Sequence, residues 1–317
     1  MRNHKPNILI PPNTILVITG PTGIGKTALS KAIAAELPVE IISADSRQIY
    51  RFMDIGTAKP SLELLREIPH HFIDILNPDE PYSAGEFGNI ARQTIAKIFE
   101  REKLPLVTGG SGLYIRALLE GFFKGDFKDL KLRKQLQKRL ENEGIEKLFA
   151  ELQTIDPLFA GKTHPNNIKR VIRGLEVYYS AGKPLSEIQQ ATPDPAPFKW
   201  IKIGLTMERQ QLYQRINQRV EKMFEAGLIA EVQQILDMGY SPKLNSLDSV
   251  GYKEVVSYLN KKVDLFTCKE RVKQNTRRYA KRQFTWFRAE KDIHWMDVSA
   301  AVDIVSFLED VLIKNDG

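Results

Sequence analysis

Gly20, Gly25, Lys26 and Thr27, within "GPTGIGKTALS" (20–30), keep the spacing G-x4-G-K-[ST] directly after the apolar run "TILVITG". That spacing suits phosphate binding. Glycines let backbone N–H groups close around an anion, the start of the following helix adds positive charge, and the lysine supplies a point charge. A threonine hydroxyl in the last position ligates Mg²⁺. The loop Gly20, Pro21, Thr22, Gly23, Ile24, Gly25, Lys26 and Thr27 is therefore the expected phosphate cradle, with Mg²⁺ the expected cofactor and Thr27 its protein ligand. The pattern leaves open whether the cradled phosphate is transferred or left behind.

A second group of residues bears on that choice. Enzymes that transfer or hydrolyse a terminal phosphate carry an apolar strand ending in an acid that helps organise Mg²⁺. The run "LPLVTGG" (104–110) ends without one. Only "VEIISADS" (39–46) ends in an acid, Asp45, followed by Ser46, Arg47 and Gln48. By itself such an aspartate suits a metal ligand, a base or a solvated turn. Further along, "KERVKQNTRRYAKRQFTWFR" (269–288) carries eight Lys/Arg against the single acid Glu270, with Tyr279, Phe284, Trp286 and Phe287 interleaved. It reads either as an amphipathic helix with a solvated basic face or as a surface for phosphates beside unstacked bases.

These residues require elements to hold them. Residues 14–20, 39–46 and 104–110 read as buried strands, 26–37 and "SAGEFGNIARQTIAKIFE" as helices, and "WIKIGLTM" as a returning strand. Strands alternating with helices indicate a parallel sheet, and ligands bind at the carboxyl ends of its strands. The loop, Asp45 and the Gly109–Gly110–Ser111 turn all fall on that edge. Residues 123–198 are dense in charge with helical spacing and end in the proline-rich "ATPDPAPFKW"; they read as a mainly helical insertion between core segments 1–122 and 199–317. "ERQQLYQRINQRVEKMFEAGLIAEVQQIL" reads as a long helix or a helix pair.

A chain of 317 residues with 42% hydrophobic and 27% charged residues suits a globular protein with ample core. Net charge of +7 favours nucleic acid without establishing it. The one cysteine, Cys268, excludes an internal disulfide and a multi-cysteine metal site. No run approaches the roughly 18 apolar residues that span a membrane, and "MRNHKPNILIPPN" lacks the layout of a signal peptide. A cytoplasmic monomer without a membrane partner is expected.

"GPTGIGKT", "ISADSRQIY", "MDIGTAKP", "PHHFID", "GGSGLYIRAL", "HPNNIKRVIRGLEVY", "LYQRINQRVEKM", "GLIAEV", "SVGYKE" and "RRYAKRQFTWFR" follow one another from Gly20 to Arg288. In content and order these blocks resemble tRNA dimethylallyltransferases, also called tRNA isopentenyltransferases. The resemblance implies an α/β fold, a P-loop NTPase-like parallel sheet flanked by helices with a mainly helical insertion domain. It implies transfer of a five-carbon group from dimethylallyl diphosphate to the exocyclic amine of the adenine 3′-adjacent to the anticodon, in tRNAs reading codons that begin with U. The cradled diphosphate is then the leaving group.

By the same resemblance Asp45 is the base for the amine, Thr22 contacts diphosphate or substrate, and Arg219 binds diphosphate. Read without the resemblance, Arg219 is a solvated arginine on a helix face. Contacts to the anticodon stem-loop are implied for Asp45, Ser46, Arg47 and Gln48, for Ser111, and for Lys169, Arg170, Val171, Ile172 and Arg173. They are implied equally for Asp248, Ser249, Val250, Gly251, Tyr252 and Lys253, and for Lys281, Arg282, Gln283, Phe284, Thr285, Trp286, Phe287 and Arg288. Ser111 stands where the family more often has threonine, and Asn167 where it more often has an acid. An adenylate isopentenyltransferase acting on free nucleotide would need neither the insertion nor "KRQFTWFR". A P-loop kinase would need the missing acid, and a non-catalytic RNA-binding module would leave the loop and Asp45 without a use.

Overall fold

The structure, a computed structural model, describes residues 10–122, 129–190, 195–298 and 304–315. The N-terminal segment through Leu9, the start of the expected insertion at 123–128 and residues 191–194 of the proline-rich stretch lie outside the described residues. The chain forms two compact units, one from residues up to Leu119 together with those from Ala196 onward, the other from Glu120–Pro195.

The first unit begins β1 (Thr14–Thr19), α1 (Lys26–Glu36), β2 (Val39–Ser43), α2 (Leu62–Glu67), β3 (His70–His71), α3 (Ala84–Glu100), β4 (Leu104–Gly109) and α4 (Gly112–Leu119). The second unit is helical, with α5 (Leu130–Glu143), α6 (Ile145–Ile155), α7 (Pro157–Gly161), α8 (Ile168–Ala181) and α9 (Leu185–Gln190). The chain then completes the first unit with β5 (Lys199–Thr206), α10 (Arg209–Glu225), α11 (Leu228–Asp237), α12 (Tyr252–Leu259), α13 (Leu265–Arg288), β6 (Ile293–Asp297) and α14 (Ile304–Asn315).

Six parallel strands lie in the order β3-β2-β4-β1-β5-β6. All residues of β1 and β2 are buried, as strands covered on both faces must be. Leu16, Ile18, Ile41, Leu106, Ile203 and Leu205 pack with Ile24, Ile33, Leu212 and Ile216 into the core under the loop. Each such burial contributes about 1.5–3 kcal/mol. Thr19 is level with Gly109, and Ser43 with Thr108. The residues that follow these strand ends are therefore neighbours.

Several elements differ from the sequence expectation. The strand expected through Ser46 stops at Ser43: Ala44 still donates to Thr108 O, but Asp45 already begins a turn, its Oδ1 accepting from Arg47 N at 2.9 Å. Two edge strands, β3 and β6, escaped the pattern because two and five residues carry little periodicity. The stretch at 208–236, expected as a long helix or a helix pair, is the pair, broken at Ala226–Gly227. The helical unit has its own core, including Leu136, Leu148, Leu152, Phe159, Val171, Ile172 and Leu175.

Candidate active site

Residues 20–25 close into a loop between β1 and α1, and Lys26 and Thr27 open the helix. Gly25, the residue before the helix, has φ +115°, a conformation that disfavours a side chain. No side chain caps α1 and no acid lies in its first turn, so the helix start keeps its positive end for an anion. Lys26 Nζ reaches back to Gly20 O and Pro21 O, both at 2.9 Å. Burial brings the Lys26 ammonium down to about 8, with Asp45 opposing the shift and Arg219 adding to it. Ile24 is fully buried in the core below, so it serves the loop through its backbone.

The loop opens on a cavity of about 600 Å³ whose lining includes Lys26, Thr27, Asp45, Arg219, Tyr252 and Tyr279. Asp45 is held by one oxygen, which accepts from Arg47 N at 2.9 Å and Gln48 N at 3.4 Å. Its second oxygen is engaged by no hydrogen bond among the described residues. Arg219, from α10, is half-buried; burial lowers its guanidinium, and the negative charge of Asp45 offsets that effect. Loop, carboxylate and guanidinium thus face one space. The arrangement can neutralise a departing anion with Lys26 and Arg219 and take a proton at Asp45.

Ser111 accepts from Ser46 N at 3.1 Å, tying the Asp45 turn to the end of β4. Neither glycine at that end has room for a side chain. A Cβ at Gly109 would lie 2.1 Å from Ala44 O, and one at Gly110 would lie 2.1 Å from Gln283 Nε2. The backbone of Ala44, just after β2, and the Gln283 side chain of α13 fill the space at these two glycines, where phosphoryl-transfer enzymes carry an acid.

Several residues implied as RNA contacts also make bonds or packing contacts within the protein, and of these Gln48, Tyr252 and Gln283 line the cavity as well. Gln283 is buried: its Oε1 accepts from Thr22 N and its Nε2 donates to Gly110 O, both at 2.9 Å. Phe287 is also buried, and Tyr252 is fully so, its hydroxyl donating to Glu231. Trp286 lies against Gly112 with Arg116 over its ring at 4.6 Å, and its Nε1 donates to Glu290 Oε1 at 3.2 Å. The Gln48 side chain bonds Ser43, Thr57 and Ala58. Val171 and Ile172 face the core of the helical unit and offer no side-chain surface to RNA.

Other expected residues are accessible. Lys281, Arg282, Thr285 and Arg288 are exposed on α13, Phe284 is half-buried under the Arg288 guanidinium, and Arg282 borders the cavity. Asp248 and Lys253 are exposed beside Ser249, Val250 and Gly251 on the cavity rim. Arg47 Nη1 donates to Asn245 O at 2.8 Å. In the helical unit Lys169 and Arg170 are exposed, with Arg170 over the Phe159 ring, and Arg173 donates to the buried Glu176 at 2.8 Å.

Sequence reasoning missed Tyr279 as a cavity residue. Burial, reinforced by the charge of Asp45, pushes its hydroxyl up to about 12. The available signal was its helical spacing with Thr276 and Gln283, which line the same cavity.

The family model for IPP transferase matches residues 48–290. The chain is 48% identical over 305 residues to a tRNA dimethylallyltransferase of Pelotomaculum thermopropionicum, covering 96% of each protein. It is 47% identical over 307 residues to that of Thermodesulfovibrio yellowstonii, covering 94% of this chain and 96% of the relative. A solved tRNA isopentenylpyrophosphate transferase of Bacillus halodurans is 40% identical with a TM-score of 0.71, over 96% of this chain and 98% of that one. A solved eukaryotic dimethylallyltransferase acting on tRNA is 31% identical with a TM-score of 0.80, over 96% of this chain and 79% of that one. With a family match across most of its length, and relatives 47–48% identical over nearly all of it, this chain belongs to the IPP transferase family.

Proposed function

We propose that the protein transfers the dimethylallyl group of dimethylallyl diphosphate to the exocyclic amine of a tRNA adenine, the one 3′-adjacent to the anticodon in tRNAs reading codons that begin with U. The observation that carries this reading is the shared cavity of a phosphate loop, Asp45 and Arg219 in a chain whose relatives are tRNA dimethylallyltransferases. Lys26, the loop amides and Arg219 bind and neutralise diphosphate as the allylic C–O bond breaks. Asp45 takes the proton that the amine loses as the new C–N bond forms. The amine is reached only once the base is turned out of its stack.

Mg²⁺ fits the loop in one manner. Among the described residues no group of three or more His, Cys, Asp or Glu could hold a metal, so the protein offers chiefly the Thr27 hydroxyl. Mg²⁺ accepts such a site when substrate phosphate oxygens and water complete its shell. When bound, it neutralises diphosphate charge. Kinase action is disfavoured by the closed space at Gly109 and Gly110. We further propose a cytoplasmic monomer; among the described residues no helix is long and apolar enough to cross a membrane.

The test offers unmodified tRNA with either dimethylallyl diphosphate or ATP, with and without EDTA, followed by nucleoside analysis. Isopentenyladenosine formed only from dimethylallyl diphosphate and only without EDTA supports the reading. ATP-dependent labelling with no prenylated adenosine overturns it. Asp45→Ala should lose about 10²–10⁴ in transfer rate while still binding tRNA.

A further inference from the structure

We propose that Glu231, which does not line the cavity, is a positioning residue: its carboxylate fixes the cavity wall Gly56–Ala58 and, through Gln48, the turn that carries Asp45. This rests on the functional reading above.

Glu231 stands in the first turn of α11. Its Oε2 accepts from Asp54 N at 2.9 Å and Ile55 N at 2.6 Å; its Oε1 accepts from Gly56 N at 3.0 Å and Tyr252 Oη at 2.6 Å. Four donors converge on one carboxylate, and none of them is charged. Three are successive amides of one loop, which the carboxylate holds as an anion in a nest. Tyr252 completes the clamp, because a Cβ on Gly56 would lie 2.4 Å from its ring. Only glycine lets the loop lie flat on that ring.

The other side of the loop is held by Gln48. Its Nε2 donates to Thr57 O at 3.3 Å and Ala58 O at 3.2 Å, and its Oε1 accepts from Ser43 Oγ at 3.1 Å. Gln48 N also donates to Asp45 Oδ1 at 3.4 Å. Lys59 anchors the end of the segment, its ammonium on Tyr50 O at 2.6 Å, Asp54 at 2.6 Å and Asp74. Gly56, Thr57 and Ala58 therefore form a wall gripped from behind by Glu231 and from the Asp45 side by Gln48. Release of the rear grip frees the wall, then the amide of Gln48, then the turn that orients the base. The diphosphate loop is held separately and does not depend on it.

The test is Glu231→Gln, which keeps shape but turns an NH₂ toward two donors. With the fold intact by circular dichroism, single-turnover transfer to tRNA at saturating dimethylallyl diphosphate should fall about tenfold or more, the scale for lost positioning. KM for the donor and Kd for tRNA should stay within about twofold, a split that a merely structural role would not produce. A rate within about twofold of wild type, or a loss confined to KM, overturns the inference. If Glu231→Gln does not fold, Tyr252→Phe, which removes one donor and keeps the ring on Gly56, should slow transfer roughly threefold, and an unchanged rate overturns the inference. Wild-type protein that fails to prenylate tRNA overturns this and the functional reading together. Wild-type transfer with unaffected variants overturns this inference alone.

Discussion

Thr22, in the phosphate loop, donates its backbone N–H to the side-chain carbonyl of Gln283 across 261 positions of sequence, at 2.9 Å. The same amide group donates to Gly110 O, so one buried side chain of α13 fastens the loop after β1 to the turn after β4. The Thr22 amide is therefore engaged within the protein, while its hydroxyl side chain remains on the cavity.

Replacing Gln283 by leucine keeps volume and burial but strands one N–H and one C=O. Each buried unsatisfied group costs about 1–3 kcal/mol. Gln283→Leu should lower the melting temperature and raise KM for dimethylallyl diphosphate more than Kd for tRNA. Calorimetry with a non-reacting diphosphate analogue measures the first affinity and filter binding the second. Weakened tRNA binding with donor affinity untouched would return Gln283 to the RNA surface.

Lys281 and Arg282 lie on the same helix but are exposed. Their joint replacement by alanine should weaken tRNA binding while leaving donor binding unchanged. Each lost phosphate contact should flatten the plot of log affinity against log salt by about one unit of slope. A slope equal to wild type would make these residues a solvated face.

The contrast between these neighbours explains what could be read in advance. Gly20–Thr27 is legible because a phosphate loop is contiguous and its glycines are fixed by its own backbone. Asp45 is legible because it follows an apolar strand. The resemblance places Gln283 among the tRNA contacts with the rest of "KRQFTWFR", and in the fold Cys268, Val272, Ala280, Gln283 and Phe287 form one buried helical stripe. A glutamine inside an apolar stripe is the signal of an internal clamp. The hub at Glu231 gives no such signal, because its partners lie at 54–56 and 252 and only the folded chain brings them together.

Glu40, near the start of β2, is buried and accepts from Arg101 at 2.7 Å, with His71 at 2.8 Å and Lys103 at 3.3 Å. The Arg101 guanidinium foremost, then His71 and Lys103, hold its carboxyl down at about 2 against an ordinary 4.5, although burial opposes them. Because the folded value lies below the unfolded one, the stabilisation is complete above pH 4.5 and is lost as pH falls toward 2. It amounts to about 2 kcal/mol, allowing for exposed partners. Glu40→Gln should melt lower at pH 7 and approach wild type as pH falls through this window, as followed by thermal denaturation. A constant gap between the two would remove Glu40 from acid unfolding.

Lys26 supplies the sharpest pH test of the binding site. In the free protein its ammonium titrates near 8, because burial disfavours the charge more than Asp45 restores it, and Arg219 adds to the cost. A bound diphosphate brings negative charge to this buried amine, so the pKa must rise in the complex. Binding then selects the protonated lysine, already present below about pH 7, and above pH 8 must draw a proton from solvent. Affinity should be flat up to about pH 7 and weaken above pH 8, by at most about tenfold per pH unit, until the pKa of the complex is reached. Calorimetry at pH 8.5 in two buffers of different ionisation enthalpy should show net proton uptake. Lys26→Arg, whose charge persists to about pH 12 or beyond, should bind more weakly in this loop but lose the pH dependence. Persistence of the full pH dependence in the arginine variant would mean that another group titrates, and would remove Lys26 as the charge that recognises diphosphate.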